Sequence, residues 1–481
     1  MSNPPNDAPN DVVVEGDVNE DGQGLQRGLS NRHLQLMALG GAIGTGMFMG
    51  SSETIHNAGP SAMLVYAVVG FFLYFMMRAM GEMLLSNLKY KSFRDIAEDI
   101  LGPAGGFISG WTYWFAWVVA AMADLSAITR YVQMWWPDVP LWFPAASLAL
   151  LLFILNIIAV KYFGEAEFWF ALIKLVAVAA LLIVAASLLF SGFVSKAGHH
   201  ATIENLWNDG GFFPNGLEGF LGGFQIAFFA FVGLEIVGTA AAETKNPHKT
   251  LPKAINAIPV RLALFYVLAL AAIVVVIPWR VVDPKNSPFT DMFTMAGFGS
   301  AASVMNFVLL TAAASSDNSG LYSTSRMMYG LAEDGQAPKI FGRLSKRSVP
   351  QNALICSCLL LLVGIVPLYT SETVAAAFKL VTSVTSVLFL FIWGLIVVCY
   401  IVYRRKRPDL HEESVYKMPG GTQAAWAVLV FFAVSLFVLC LDEVNRTATL
   451  ITPVWFVLIG GCYFFHARKN KREENKTLSN H

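Results

Sequence analysis

The stretch "GGAIGTGMFMG" at residues 40–50 places five glycines in eleven positions of an apolar run long enough to be a helix. Glycine costs about 1 kcal/mol relative to alanine inside a helix, so this stretch is a poor continuous rod. Either the backbone here comes close to something or it unwinds.

The rest of the chain says what surrounds it. The 481 residues are 56% hydrophobic and 14% charged, with a mean hydropathy of +0.56, far from the balance of a soluble domain. Runs such as "LVAVAALLIVAASLLF" (175–190) and "YVLALAAIVVVIP" (266–278) reach, with their flanks, the roughly 20 residues that cross a bilayer. Twelve spans are expected, centred near 45, 72, 117, 150, 178, 229, 268, 312, 361, 391, 432 and 458. The fold class is an all-α membrane protein.

Lys and Arg in the loops give the orientation. With twelve spans the termini share a side, and that side carries 24 Lys and Arg against 5 on the other, with Arg78, Lys174, Arg261 and Lys379 within spans. By the positive-inside rule both termini are cytoplasmic. Residues 1–26 hold six acidic residues and no Lys or Arg, unlike the basic start of a signal peptide. The expected organisation is a disordered tail at 1–30, a core of ten spans at 31–405 and a cytoplasmic loop at 406–421. Two further spans at 422–467 and a tail at 468–481 complete it. The five cysteines lie in or beside apolar spans and read as small core residues.

Unwound backbone is tolerated at membrane depth only where protein or a water-filled cavity satisfies its freed N–H and C=O groups. The glycines of the first span therefore imply a cavity. Amides opening the second half-helix suit a carboxylate, and carbonyls ending the first suit a cation. An α-amino acid carries both charges on adjacent atoms. Five spans later "GGFQIAFFAFVGLEIVGT" (222–239) offers a second interrupted helix around Gly233, with the intramembrane carboxylate Glu235. Because five is odd, a second copy of such a unit runs through the membrane in the opposite sense, giving a five-plus-five inverted repeat with broken helices 1 and 6. Close packing through Gly46-x-x-x-Gly50 competes at one break and less well at two matched breaks.

At these residues the chain resembles a family. The segments "NRHLQLMALGGAIGTGMFMG", "RAMGEM", "GWTYWFAW", "FAFVGLE", "AAETKNPHKTLPKAI" and "SRMMYGLAEDGQAP" are similar to the amino acid permeases of the amino acid–polyamine–organocation superfamily. The similarity runs from about residue 27 to 466. It implies a LeuT-like fold in the bacterial inner membrane. "SNLKYKSFRDIAEDILGP", "LWNDGGFFPNGLEGF" and "RPDLHEESVYKMP" most resemble the branch that carries D-serine, D-alanine and glycine. The resemblance implies that Thr45 and the amides of Gly44, Thr45, Gly46 and Met47 hold the substrate carboxylate, and that the Ala42 and Ile43 carbonyls receive the ammonium. Phe229 and Val232, before Gly233, would add carbonyls, and the Phe229 ring a lid. Gly46 is read as leaving room for the carboxylate and for left-handed backbone.

Charged groups in spans cost on the order of 3 kcal/mol on insertion scales and normally face a cavity or a partner. Lys174 stands, by the resemblance, where sodium binds in sodium-coupled relatives, with the serines and Asp317 of "AAASSDNSG" opposite it. Loss of its hydration favours proton release, so it is expected to couple transport to protons. The resemblance implies that Glu235, directly after the second break, is a proton-sensitive gate. Glu82 reads as a structural partner of Arg78 one turn before it. Asp124, near Arg130, fits either a structural or a functional role.

No dinucleotide fingerprint, P-loop lysine motif or H-E-x-x-H pair occurs. No cofactor, metal, catalytic residue or nucleic-acid partner is expected. The expected partners are a small zwitterionic amino acid, a proton and the lipid bilayer. A permease for GABA, proline or an aromatic amino acid is the alternative, and a transporter-like receptor a more distant one.

Overall fold

The computed structural model of the chain describes residues 31–157, 160–345 and 349–479. The expected tail at 1–30 lies outside them. The described residues are helical nearly throughout, and the strand-like pairing among them is a single bridge between Val194 and His200.

The chain begins with α1 (Asn31–Ala42), α2 (Thr45–Phe48), α3 (Gly50–Ala58), α4 (Ala62–Ser86) and α5 (Phe93–Leu101). Then come α6 (Pro103–Gln133), α7 (Trp142–Ile157), α8 (Val160–Phe190), α9 (Gly216–Gly222), α10 (Phe224–Ala230) and α11 (Ile236–Thr239). Next are α12 (Pro247–Val276), α13 (Pro288–Met295), α14 (Gly299–Glu333), α15 (Gln351–Leu361) and α16 (Ile365–Thr370). The last four are α17 (Val374–Lys406), α18 (Pro408–Glu413), α19 (Gly421–Leu439) and α20 (Glu443–Ser479).

Nine helical stretches among the described residues are long and apolar enough to cross a membrane, and Trp142–Ile157 and Gly216–Ala230 are shorter apolar helices. One of the nine, Gly50–Ser86, is interrupted where Gly59 takes φ +60° ahead of Pro60. Burial separates centre from rim: 78% of the apolar window of α6 and 72% of that of α17 is covered by protein, against 17% for α20. Thus α6 and α17 pack on each other at the centre, with α14 against α6 and α4 against α12, while α20 leaves most of its surface for lipid. The helix α20 runs on to Ser479, so no helix end marks the tail boundary expected near 467.

One expected pair is corrected. Glu82, fully buried near the C-terminal end of α4, does not pair with Arg78. Its carboxylate accepts from the Tyr400 hydroxyl at 3.0 Å and the Met418 amide at 2.6 Å, with His411 Nδ1 at 2.5 Å. Arg78 instead donates to Asn256 and to the Lys417 carbonyl, with its guanidinium over the Tyr416 ring. A buried carboxylate needs several donors, and one turn of helix brings a single flexible cation, whereas the 406–421 segment brings a ring nitrogen and a backbone amide. That segment is a strap tied across the C-terminal ends of α4 and α17.

Candidate functional site

Both expected breaks are present. After Ala42 the chain leaves the helix through Ile43 and Gly44, whose backbone is extended at φ −128° and ψ −153°. It re-enters at Thr45, and the Met49 amide bonding to Thr45 O carries the helix toward α3. After Ala230 five residues turn before α11 begins, with Gly233 at φ +107°, a conformation that favours glycine.

The breaks touch. A Cβ at Gly233 would lie 2.8 Å from Gly41 C and 2.9 Å from Ala42 N, and one at Gly46 would lie 2.6 Å from Ala230 Cα and 2.9 Å from the Phe229 ring. Gly46 is not among the left-handed residues. Its lack of a side chain answers to the close approach of α10, which corrects the reading of Gly46 as a left-handed position.

Freed carbonyls find partners on neighbouring helices. The Tyr266 hydroxyl of α12 reaches both Ala42 O at 2.9 Å and Ala230 O at 2.7 Å, the last carbonyl of each broken half. The single hydroxyl hydrogen is shared between the two carbonyls, and Ala42 O also accepts from the Gly44 amide at 2.9 Å. Ser316 of α14 donates to Gly41 O at 3.0 Å, and the buried Lys174 ammonium donates to Gly40 O.

Between the breaks is a cavity of about 10 Å³, room for one water. Its walls include Thr45, Gly46, Phe229 and Val232 from the broken helices, Trp117 and Asp124 from α6, and Ser316. Thr45 Oγ1 donates to Asp124 Oδ1. Phe229 meets Phe378 of α17 edge to face at 5.9 Å, whereas its neighbour Phe228 is wholly buried against Phe224 and Phe431.

Glu235, fully buried, accepts from Trp117 Nε1 at 3.2 Å, Trp393 Nε1 at 3.3 Å and the Gly233 amide at 3.2 Å. Trp117 therefore joins the cavity wall to this carboxylate. On the far side of α1, Glu167 of α8 accepts from Ser315 at 2.5 Å and lies in the electrostatic reach of Lys174. Arg130 bonds to Asn286 and not to Asp124.

Ion pairs flank the two broken helices. Lys379 of α17 meets Glu53 of α3 at 2.9 Å and Asp442 at 3.4 Å. Arg326 of α14 donates to Glu243, just past α11, at 2.6 Å, and Tyr322 donates to the same carboxylate at 2.7 Å. Each ties a segment of a broken helix to an unbroken one.

The structure thus brings Ala42, Gly44, Thr45, Gly46, Phe229 and Val232 to one cavity, with Gly233 packed on Gly41 and Glu235 one tryptophan away, whereas Ile43 and Met47 are not on its wall and Lys174 lies behind α1. Sequence reasoning missed Trp117, Tyr266 and Glu167. Glu167 had a signal, an acidic residue seven before Lys174 and so on the same helical face. Among the described residues no group of three or more His, Cys, Asp or Glu is placed to hold a metal ion.

Comparison with known proteins agrees with this geometry. A family model described as amino acid permease matches residues 33–476. The D-serine/D-alanine/glycine transporter of Escherichia coli K12 is 53% identical over 464 residues, covering 96% of this chain and 99% of that protein. The amino-acid permease AapA of Bacillus subtilis is 48% identical over 94% of this chain and 97% of its own length. The aromatic amino acid transport protein AroP of E. coli K12 is 38% identical over 95% and 99%. These relatives are transporters and not enzymes, and this multi-pass membrane protein belongs to the amino acid permease family.

Proposed function

We propose that the chain is a secondary active transporter that imports small neutral amino acids, D-alanine, D-serine and glycine, by proton symport. The observation that carries the reading is the meeting of two unwound helices around one small cavity. The first amides of the outer half of helix 1, at Thr45 and Gly46, stand on its wall and suit a carboxylate. With Ala42 O engaged by Tyr266, the carbonyls of Ile43 and Val232 are the ones left to face an ammonium. Walls of Trp117 and Phe229 around a cavity this small need to part a little for glycine and far more for an aromatic ring, which favours the small substrates named for the E. coli relative over those of AroP.

The membrane arrangement in this reading has twelve spans. Dividing Gly50–Ser86 at Gly59, with α1 as the first half of span one, and adding Trp142–Ile157 and Gly216–Ala230 raises nine stretches to twelve. The breaks then fall in spans one and six, as a five-plus-five inverted repeat requires, with α19 and α20 outside it. Cytoplasmic termini rest on the loop charges, and a bacterial inner membrane on the relatives' sources. Opening outward requires parting Lys379 from Glu53, and opening inward requires parting Arg326 from Glu243. Lys174 couples the cycle to protons by holding Gly40 O when charged and releasing the inner half of helix 1 when neutral, and Glu235 gates through Trp117.

The test is uptake by purified protein in liposomes. D-alanine, D-serine and glycine are expected to accumulate against a gradient when the lumen is alkaline, with or without sodium, and GABA, proline and phenylalanine are not. Sodium-dependent accumulation, or accumulation of phenylalanine alone, would overturn the reading.

A further inference from the structure

The place where the substrate carboxylate would sit already holds a carboxylate. Asp124 is 3% exposed, lines the cavity, and takes the hydroxyl hydrogen of Thr45, the same hydroxyl that the proposed function assigns to the substrate. A second anion entering beside it, where little water reaches, is opposed by Coulomb repulsion that solvent does not screen. Something has to neutralise Asp124 before an amino acid can bind.

The neutralising group is next to it. Asp317 of α14 is fully buried and neither of its oxygens has a donor among the described residues. Its carboxyl lies within hydrogen-bonding reach of that of Asp124, across the packed α6 and α14. Carboxylates only accept, so two in contact form a hydrogen bond only when one of them carries a proton. The other charged and titratable groups facing the pair do not remove the need. Lys174 and Glu167 come from α8, and the Lys174 ammonium is held by Gly40 O with Glu167 as its strongest electrostatic partner. Tyr131 of α6 and Cys358 of α15 supply no positive charge, and Glu235 stands beyond Trp117 with donors of its own. One cation therefore faces three carboxyl groups.

We propose that Asp124 and Asp317 share the proton whose uptake accompanies substrate binding, so that the site accepts a carboxylate at Thr45 only once this pair is protonated. The inference rests on the proposed amino acid site and adds to it a second proton group, distinct from Lys174 and acting on binding. The proton adds to a carboxylate oxygen of the pair, its charge falls by one, and the substrate's carboxylate takes the place of the lost negative charge. The sign is that of symport: the proton tightens substrate binding, and by linkage the substrate tightens proton binding by the same factor.

Full-length protein is titrated calorimetrically with glycine in buffers of different ionisation enthalpy, which counts protons taken up per glycine bound. Wild type is expected to take up about one, with affinity rising toward about tenfold per unit fall in pH on the alkaline side. In Asp317→Asn the amide donates to Asp124 without titrating. Uptake is expected to fall near zero, with an affinity that varies less than about twofold over the same range. Asp124→Asn, which removes the other anion, is expected to do likewise and serves if the first variant does not fold. Lys174→Ala is expected to keep the proton uptake. Proton uptake persisting in folded Asp317→Asn or Asp124→Asn overturns the inference, as does its absence from wild type or its loss in Lys174→Ala alone. Glycine accumulation driven by a pH gradient in wild-type liposomes is measured alongside: if it persists while the inference fails, symport stands with another carrier, and if it is absent, symport itself falls.

Discussion

At Gly46 a methyl group would lie 2.6 Å from the Ala230 Cα, backbone that cannot swing aside as a side chain does. Gly46→Ala is expected to push the two breaks apart, lowering the thermal inactivation midpoint and the affinity for glycine together, and Gly46→Val to abolish binding. Unchanged values for both in Gly46→Ala would mean that the helices are not held at this distance. Thr45→Ala differs in kind, because it removes one donor and leaves the backbone alone. Loss of a hydrogen bond to a charged group is worth about 1.5–3 kcal/mol, so a weaker Kd for glycine is the expected result, with an inactivation midpoint lowered less than in Gly46→Ala because Asp124 loses one donor. A midpoint that falls as far as that of Gly46→Ala would make Thr45 a packing residue.

The broken helices depend on elements that the glycine pattern does not announce. Tyr266 serves the last carbonyl of both halves from 224 and 36 residues away, and no local periodicity marks such a role. Tyr266→Phe leaves the ring and strands the buried Ala230 carbonyl, while Ala42 O keeps the Gly44 amide, at a cost of about 1–3 kcal/mol if no water takes the hydroxyl's place. It is expected to lower both thermal stability and glycine affinity, and an unchanged midpoint would show that the hydroxyl does not hold the halves. Gly44, Gly46 and Gly233 were legible because each breaks a helical rule where it stands, and Lys174 and Glu235 because charge in an apolar run is conspicuous. The partners of Glu82 were not, since Tyr400, His411 and Met418 meet it from more than 300 residues away. The strap they form carries its own prediction: His411→Ala removes one of three contacts to a buried carboxylate and is expected to speed proteolytic cleavage within 406–420. Cleavage at the wild-type rate would show that the loop is held without it.

For the whole molecule, the loop charges and the helix order make one statement about sidedness. Asn208 is exposed in the long loop after α8, and Arg343 is exposed in the loop after α14. A cysteine at 208 is expected to react with an impermeant thiol reagent added to intact cells, and one at 343 only after the cells are opened; the reverse pattern would invert the topology. The same architecture has a consequence for how the protein is made. The centre is α6 against α17, so helices that leave the ribosome early wait for a partner that emerges more than two hundred residues later. Until then Asp124 lacks its neighbour on α14, and Glu82 lacks all three of its donors. Lone carboxyl groups do not rest in lipid, which makes the insertion machinery a companion for most of synthesis and makes a chain that stops short of residue 420 a substrate for membrane quality control.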